Sequence, residues 1–216
     1  MPIEVKICGL STEETVRGAI TAGADYIGLV FYPASPRHVS LEQAERLART
    51  ARGRAKIVAL VVDASEAAVK DIARRVRPDY FQAHGREDAR KVEAIRATTG
   101  VPVIKAVKVQ DTPDLAQAET FETIAEMVLF DAKAPSGVAN VLPGGNGMAF
   151  DWSILARRPG RKRFMLSGGL TADNVMEAIR ISGAPIVDVS TGVERAPGAK
   201  DLGLIRSFID AAKKDR

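Results

Sequence analysis

Residues 56–83 read KIVALVVDASEAAVKDIARRVRPDYFQA, and two different periods follow one another within them. Residues 56–62 form a short, β-branched apolar run, which predicts a strand. From Val69 the apolar residues recur at Ile72, Ala73 and Val76, the spacing of one helix face. A second short run, residues 80–83, completes a strand–helix–strand unit. Similar runs lie at residues 3–7 and 26–30 before this stretch, and at 103–107, 127–130, 164–166 and 186–189 after it. Helical spacing follows the second run as well, at Leu41, Ala44, Leu47, Ala48 and Ala51.

Local signals mark the helix starts. Ser11 with Glu14 and Ser40 with Gln43 have the spacing of capping boxes, Thr112-Pro113 puts proline at a first helical position, and the helix opening at Asp151 is short. Nearly continuous apolar strands joined through helices run parallel and are covered on the outside. Eight such units within 216 residues close more naturally into a barrel than into an open sheet. The expectation is a single (β/α)8-barrel domain over residues 1–216, since no linker or change of composition interrupts the pattern.

Composition excludes several classes of function. A hydrophobic fraction of 46% supports a sizeable core, while no apolar run approaches the roughly 18 residues of a membrane span. No basic segment followed by an apolar one opens the chain, so a cytoplasmic location is expected. The single cysteine, Cys8, has no partner for an internal disulfide, and with only two histidines, His38 and His84, no metal is expected. The charge of +4 is dispersed, with modest basic clusters at 157–163 and 213–216 and no interleaved aromatics, which argues against nucleic acid as a partner. The pattern fits a small anionic substrate, and either a monomer or a homodimer.

In a barrel the loops after each strand gather on one rim, where chemistry takes place. Alternation along the first strand directs Glu4, Lys6 and Cys8 inward, placing Cys8 at the rim above Lys6. A nearby ammonium lowers a thiol pKa from its usual value of about 8.5, which would make Cys8 a base or nucleophile; the alternative is an inert buried cysteine. Asp131 ends the sixth strand in phase with Met127 and Leu129, so a desolvated carboxyl there suits a general acid, unless it is an exposed loop acid or a cap. Ser167-Gly168-Gly169 and Ser190-Thr191-Gly192 follow the seventh and eighth strands, where barrels hold phosphate on backbone N–H groups. Arg37 offers forked donors for a carboxylate, whereas His84 reads as a structural histidine. Residues 132–149, rich in Gly, Pro, Ser and Asn, are long enough to form a lid, with a mobile tip at 143–147.

Taken in order, Lys6-Ile7-Cys8-Gly9, the loop from Phe31 to Ser35-Pro36-Arg37, Gln82-Ala83-His84-Gly85, Asp131, Gly144-Gly145-Asn146-Gly147 before Phe150-Asp151-Trp152, Ser167-Gly168-Gly169-Leu170, and Asp188 to Glu194 followed by Pro197-Gly198-Ala199-Lys200-Asp201 resemble the phosphoribosylanthranilate isomerases across almost the whole chain. The resemblance implies a cofactor-free Amadori rearrangement in tryptophan biosynthesis. By it Asp131 is the general acid at the ribose ring oxygen and Cys8 is the base at C2. It also places the phosphate on Gly168, Gly169, Ser190, Thr191 and Gly192, and the anthranilate carboxylate on Arg37. Asn146, Ala83 and Thr191 stand where this family usually has threonine, leucine and serine, which alters local contacts. Two other readings are the related histidine-pathway isomerase, which resembles this pattern but has aspartate in place of Cys8, and a barrel that binds a phosphorylated metabolite without turnover.

Overall fold

The alternation of periods is realised as a closed ring. In the computed structural model, which describes residues 2–133, 144, 147, 149–156 and 163–214, the strands are β1 (Glu4–Cys8), β2 (Tyr26–Phe31), β3 (Lys56–Val61), β4 (Tyr80–Ala83), β5 (Val103–Val109), β6 (Met127–Ala132), β7 (Phe164–Leu166) and β8 (Ile186–Val189). Each pairs in parallel with the next, and β8 returns to β1 with Lys6 opposite Asp188. Between and after them run α1 (Glu13–Ala22), α2 (Leu41–Ala51), α3 (Glu66–Val76), α4 (Ala89–Thr99), α5 (Leu115–Glu122), α6 (Ser153–Ala156), α7 (Val175–Ser182) and α8 (Leu202–Lys213). A small antiparallel hairpin, β9 (Glu194–Ala196) and β10 (Ala199–Lys200), lies between β8 and α8.

The period of two divides the strand side chains between two cores. Tyr26, Val58, Ile104, Ala106, Met127, Leu129, Met165 and Ile186 pack together inside the barrel. The opposite set, including Val5, Ile7, Ile27 and Leu29, packs against helix residues such as Val16, Leu47, Ile72 and Ile205. Lys6 is inward and fully buried, which is tolerated because its register neighbour Asp188 meets it at 2.8 Å.

Some local expectations are corrected. Helix α1 is capped by Thr12, not Ser11: the Thr12 hydroxyl accepts from the Thr15 N–H at 3.2 Å, so the start lies one residue later. Ser40 does cap α2, yet Gln43 does not close the box, because its amide donates to the Ser11 carbonyl at 2.6 Å and ties the β1–α1 loop to α2. Pro113 lies in a 3-10 turn, Thr112–Asp114, that leads into α5. Strands β5 and β6 run two residues beyond the apolar runs, since Lys108 pairs with Asp131 and Val109 with Ala132. Most of the expected lid and of the 157–163 basic cluster lies outside the described residues. Among the described residues no helix is long and apolar enough to cross a membrane.

Candidate active site

A cavity of about 300 Å³ opens at the C-terminal ends of the strands, and Cys8, Arg37, Asp131, Gly168, Gly169, Ser190, Thr191 and Gly192 all line it, together with His84 and Asp188. Strand β1 brings Cys8 to one side of this mouth and β6 brings Asp131 to the other.

Room for the Cys8 sulphur comes from Gly28, its partner on β2, where a Cβ would stand 2.9 Å from Sγ. The structure corrects the expected electrostatics of this thiol. Burial pushes its pKa up, and the attraction of Lys6 is opposed by Asp188, to which the Lys6 ammonium is bound. The resting sulphur is therefore a thiol.

Asp131 is buried and its Oδ2 is crowded by nitrogen. His84 Nε2 lies 3.2 Å away, and Lys108 Nζ makes an ion pair with the same oxygen while sitting 3.1 Å from His84 Nε2. Burial alone would raise this carboxyl, but the His84 hydrogen bond and the Lys108 charge outweigh it and hold the group well below the usual carboxylate range. The sequence suggests a carboxyl kept neutral by desolvation; at rest it is a carboxylate, because the Lys108 ammonium offsets its charge and His84 hydrogen-bonds to it. His84 itself is pushed down by burial and by Lys108, so its ring is neutral. Gln82 Nε2 lies 2.7 Å from Nδ1, an arrangement that leaves the ring proton on Nε2, directed at Asp131. Gly144 closes over this pair: a Cβ there would be 2.5 Å from His84 Nε2, so its backbone approaches as only glycine allows.

On the opposite wall the β7 and β8 loops meet. A Cβ on Gly192 would fall 2.0 Å from the Leu170 carbonyl oxygen, so the contact between the two loops depends on this glycine. Lys200, from β10, donates to the Ser190 carbonyl at 2.8 Å and to Glu194 at 2.7 Å. Arg37 does not present an open fork to the cavity: its Nε and Nη2 each reach Glu194 at 2.8 Å, and Nη2 also contacts the Thr191 hydroxyl at 3.3 Å. One buried carboxylate thus holds two buried cations beside the glycine loops, leaving an excess of positive charge where an anion would lie.

Comparison with known proteins gives the family. Residues 5–211 match the family model of N-(5'phosphoribosyl)anthranilate (PRA) isomerase. The chain belongs to this family. Its relatives include an N-(5'-phosphoribosyl)anthranilate isomerase of Rhodopseudomonas palustris (strain BisA53), 52% identical over 99% of this chain and 97% of the relative. Another, from Paramagnetospirillum magneticum, is 51% identical over the whole of both chains. Among solved structures, the phosphoribosyl anthranilate isomerase of Thermotoga maritima superposes with a TM-score of 0.86 at 36% identity, covering 98% of each chain. A second phosphoribosyl anthranilate isomerase structure, in complex with reduced 1-(o-carboxyphenylamino)-1-deoxyribulose 5-phosphate, gives 0.84 at 34% identity over 98% of each.

Four polar residues at this cavity are given no role in it by the sequence alone: His84, which reads as structural, Glu194 and Lys200, which appear there only within motifs, and Lys108, which does not appear at all. Lys108 was detectable in principle, because it continues the inward phase of Ile104 and Ala106 just past the apolar run. Glu194 and Lys200 belong to a hairpin too short for periodicity to reveal. Thr191, where the resemblance led one to expect serine, keeps the hydroxyl that Arg37 contacts. Asn146 lies outside the described residues.

Proposed function

We propose that Cys8 and Asp131 make the two proton transfers of the isomerisation that defines this family, acting on N-(5'-phosphoribosyl)anthranilate. The protein is an isomerase of tryptophan biosynthesis. The observation that carries the residue assignment is the convergence of a thiol and a carboxyl from opposite sides of one cavity whose wall holds glycine loops and two buried cations. A structural relative in complex with a reduced, phosphorylated carboxyphenylamino-deoxyribulose supports a ligand of this shape and charge.

Asp131, once protonated, gives its proton to the ribose ring oxygen. The C1–O bond breaks toward that oxygen and the amine lone pair forms an iminium. Cys8, as thiolate, then removes the C2 proton, and its electron pair moves to give an enolamine. Loss of the C2 hydroxyl proton and protonation at C1 yield the ketone, so two protons enter and two leave and no redox partner is needed. The phosphate rests on the backbone at Gly168, Gly169, Ser190, Thr191 and Gly192. Arg37, held by Glu194, meets the anthranilate carboxylate with the part of its guanidinium that Glu194 leaves, chiefly Nη1.

The ligand is a small phosphorylated molecule, and a lone cysteine suits the reducing cytoplasm. A Thermotoga maritima relative is described as dimeric and is also known as monomers, so both states suit this barrel. The test is turnover by single variants. Asp131→Asn and Cys8→Ala should each lower kcat by about 100-fold or more with little change in KM, and Arg37→Ala should chiefly raise KM. Wild-type turnover by Asp131→Asn would overturn the assignment of the acid.

A further inference from the structure

We propose that Lys108 is a positioning residue that restrains the acid: while its ammonium occupies Asp131 Oδ2 that oxygen cannot carry a proton, so turnover passes through a state in which this contact is broken. The proposal rests on the reading of Asp131 as the acid and adds a requirement to it.

Geometry supplies the first support. Lys108 and Asp131 are register partners on β5 and β6, and Lys108 continues the inward phase of Ile104 and Ala106, so the strands themselves deliver the ammonium to the carboxylate. An ammonium has only donors, and a carboxyl hydrogen on Oδ2 would point at it. The two states exclude each other at that oxygen.

Exposure supplies the second. The Asp131 and His84 side chains are 5% and 6% exposed, whereas that of Lys108 is 31% exposed. Lys108 therefore approaches from the solvent side, and its flexible stem can swing back into water, which the other two cannot do. It does not line the cavity, so it acts through Asp131 and not on the substrate. The other cations near the mouth contact different carboxylates: Lys6 is on Asp188, Arg37 and Lys200 are on Glu194, Lys105 is on Glu87, and Lys133 is on Asp114. Besides Asp131, His84 and Arg37, the titratable groups that line the cavity among the described residues are Cys8, Tyr32 and Asp188.

A third observation concerns Gln82, whose Oε1 is buried without a hydrogen-bond partner among the described residues. While Lys108 is engaged, His84 Nε2 faces two groups, an ammonium that can only donate and a carboxylate that can only accept. If Lys108 withdraws and Asp131 becomes protonated, the new O–H can donate to Nε2. The ring proton then sits on Nδ1, and rotation of the Gln82 amide presents Oε1 to it. The second tautomer thus has an acceptor already in place.

The proton count closes. At rest the pair holds one proton, on sulphur; the competent pair also holds one, on the carboxyl. The S–H bond at Cys8 breaks, an O–H bond forms at Asp131, and water carries the proton between them. Withdrawing a cation from the carboxylate favours the competent form.

Lys108→Met and Lys108→Arg test this with two readouts. One is the Asp131 carboxyl titration followed by 13C NMR in ligand-free enzyme. The other is the single-turnover rate with excess enzyme on N-(5'-phosphoribosyl)anthranilate. Lys108→Met should raise the carboxyl pKa by about 1–3 units, the usual influence of an adjacent cation, and speed single turnover about tenfold or more with KM unchanged. Lys108→Arg should restore the low carboxyl pKa. An unmoved titration, or slower turnover with an unchanged circular dichroism spectrum, overturns the proposal. Loss of activity in Asp131→Asn is read separately, so failure of the acid assignment remains distinguishable from failure of the restraint.

Discussion

Replacing Glu194 with glutamine removes one negative charge from between two buried cations and keeps the shape. In the native arrangement the carboxylate receives Arg37 Nε at 2.8 Å and Lys200 Nζ at 2.7 Å, and the three side chains are 2%, 6% and 1% exposed in the order Glu194, Arg37, Lys200. Removing one member of a buried ion pair costs about 3–5 kcal/mol because its partner stays buried and uncompensated, and an amide oxygen recovers about 1 kcal/mol by still accepting one hydrogen bond. The net loss is about 2–4 kcal/mol, or roughly 5–15 °C in Tm for a chain of this length. Burial pushes the Glu194 carboxyl up, but Arg37 and Lys200 outweigh it and hold the group below its ordinary value of 4.5. A depressed folded pKa contributes stability that is complete above the unfolded value and lost as pH falls through the folded one. Urea unfolding of wild type and variant from pH 8 to pH 3 should therefore show a constant gap above about pH 5 that narrows in acid. A gap below about 1 kcal/mol at pH 7, or one that widens in acid, would refute the idea that this carboxylate holds the two cations in place.

Two further outcomes follow from the site. Since burial raises the Cys8 thiol, iodoacetamide should modify it more slowly at pH 7 than it modifies a free thiol, with a rate that climbs well into the alkaline range; a fast reaction at pH 7 would show a resting thiolate. Gly192→Ala should weaken binding of inorganic phosphate by about tenfold or more, because its Cβ would fall 2.0 Å from the Leu170 carbonyl and force the two loops apart; unchanged phosphate affinity by titration calorimetry would remove Gly192 from the anion site.

The barrel was legible because strand and helix periods alternate without interruption from residues 56–83 outward, and because period two along β1 and β6 correctly placed Lys6, Cys8 and Asp131 inside. The strand ends were less legible. Hydrophobicity stops at Val107 and Phe130, while pairing carries β5 and β6 on to Val109 and Ala132, and that extension sets Lys108 beside Asp131. The charge state of the site was not readable locally. Arg37 and Glu194 are 157 residues apart in the chain, and Lys6 and Asp188 are 182 apart, so their pairing depends on ring closure. Had these pairs been visible, neither an open Arg37 fork nor a thiol activated by Lys6 would have been expected. Ser11 illustrates the same limit at short range, since only Ser11 has the capping-box spacing, to Glu14, yet the adjacent hydroxyl residue Thr12 is the one that caps the helix.

The most direct test of the account follows the fluorescence of freshly prepared N-(5'-phosphoribosyl)anthranilate after addition of the purified protein, beside its Cys8→Ala and Asp131→Asn variants at equal concentration. The account predicts a rapid decay with wild type and decay slowed by about 100-fold or more with either variant, each still folded by circular dichroism. Wild-type decay in either variant would contradict the assignment of the proton-transfer pair, and no decay with folded wild type would contradict the reaction itself.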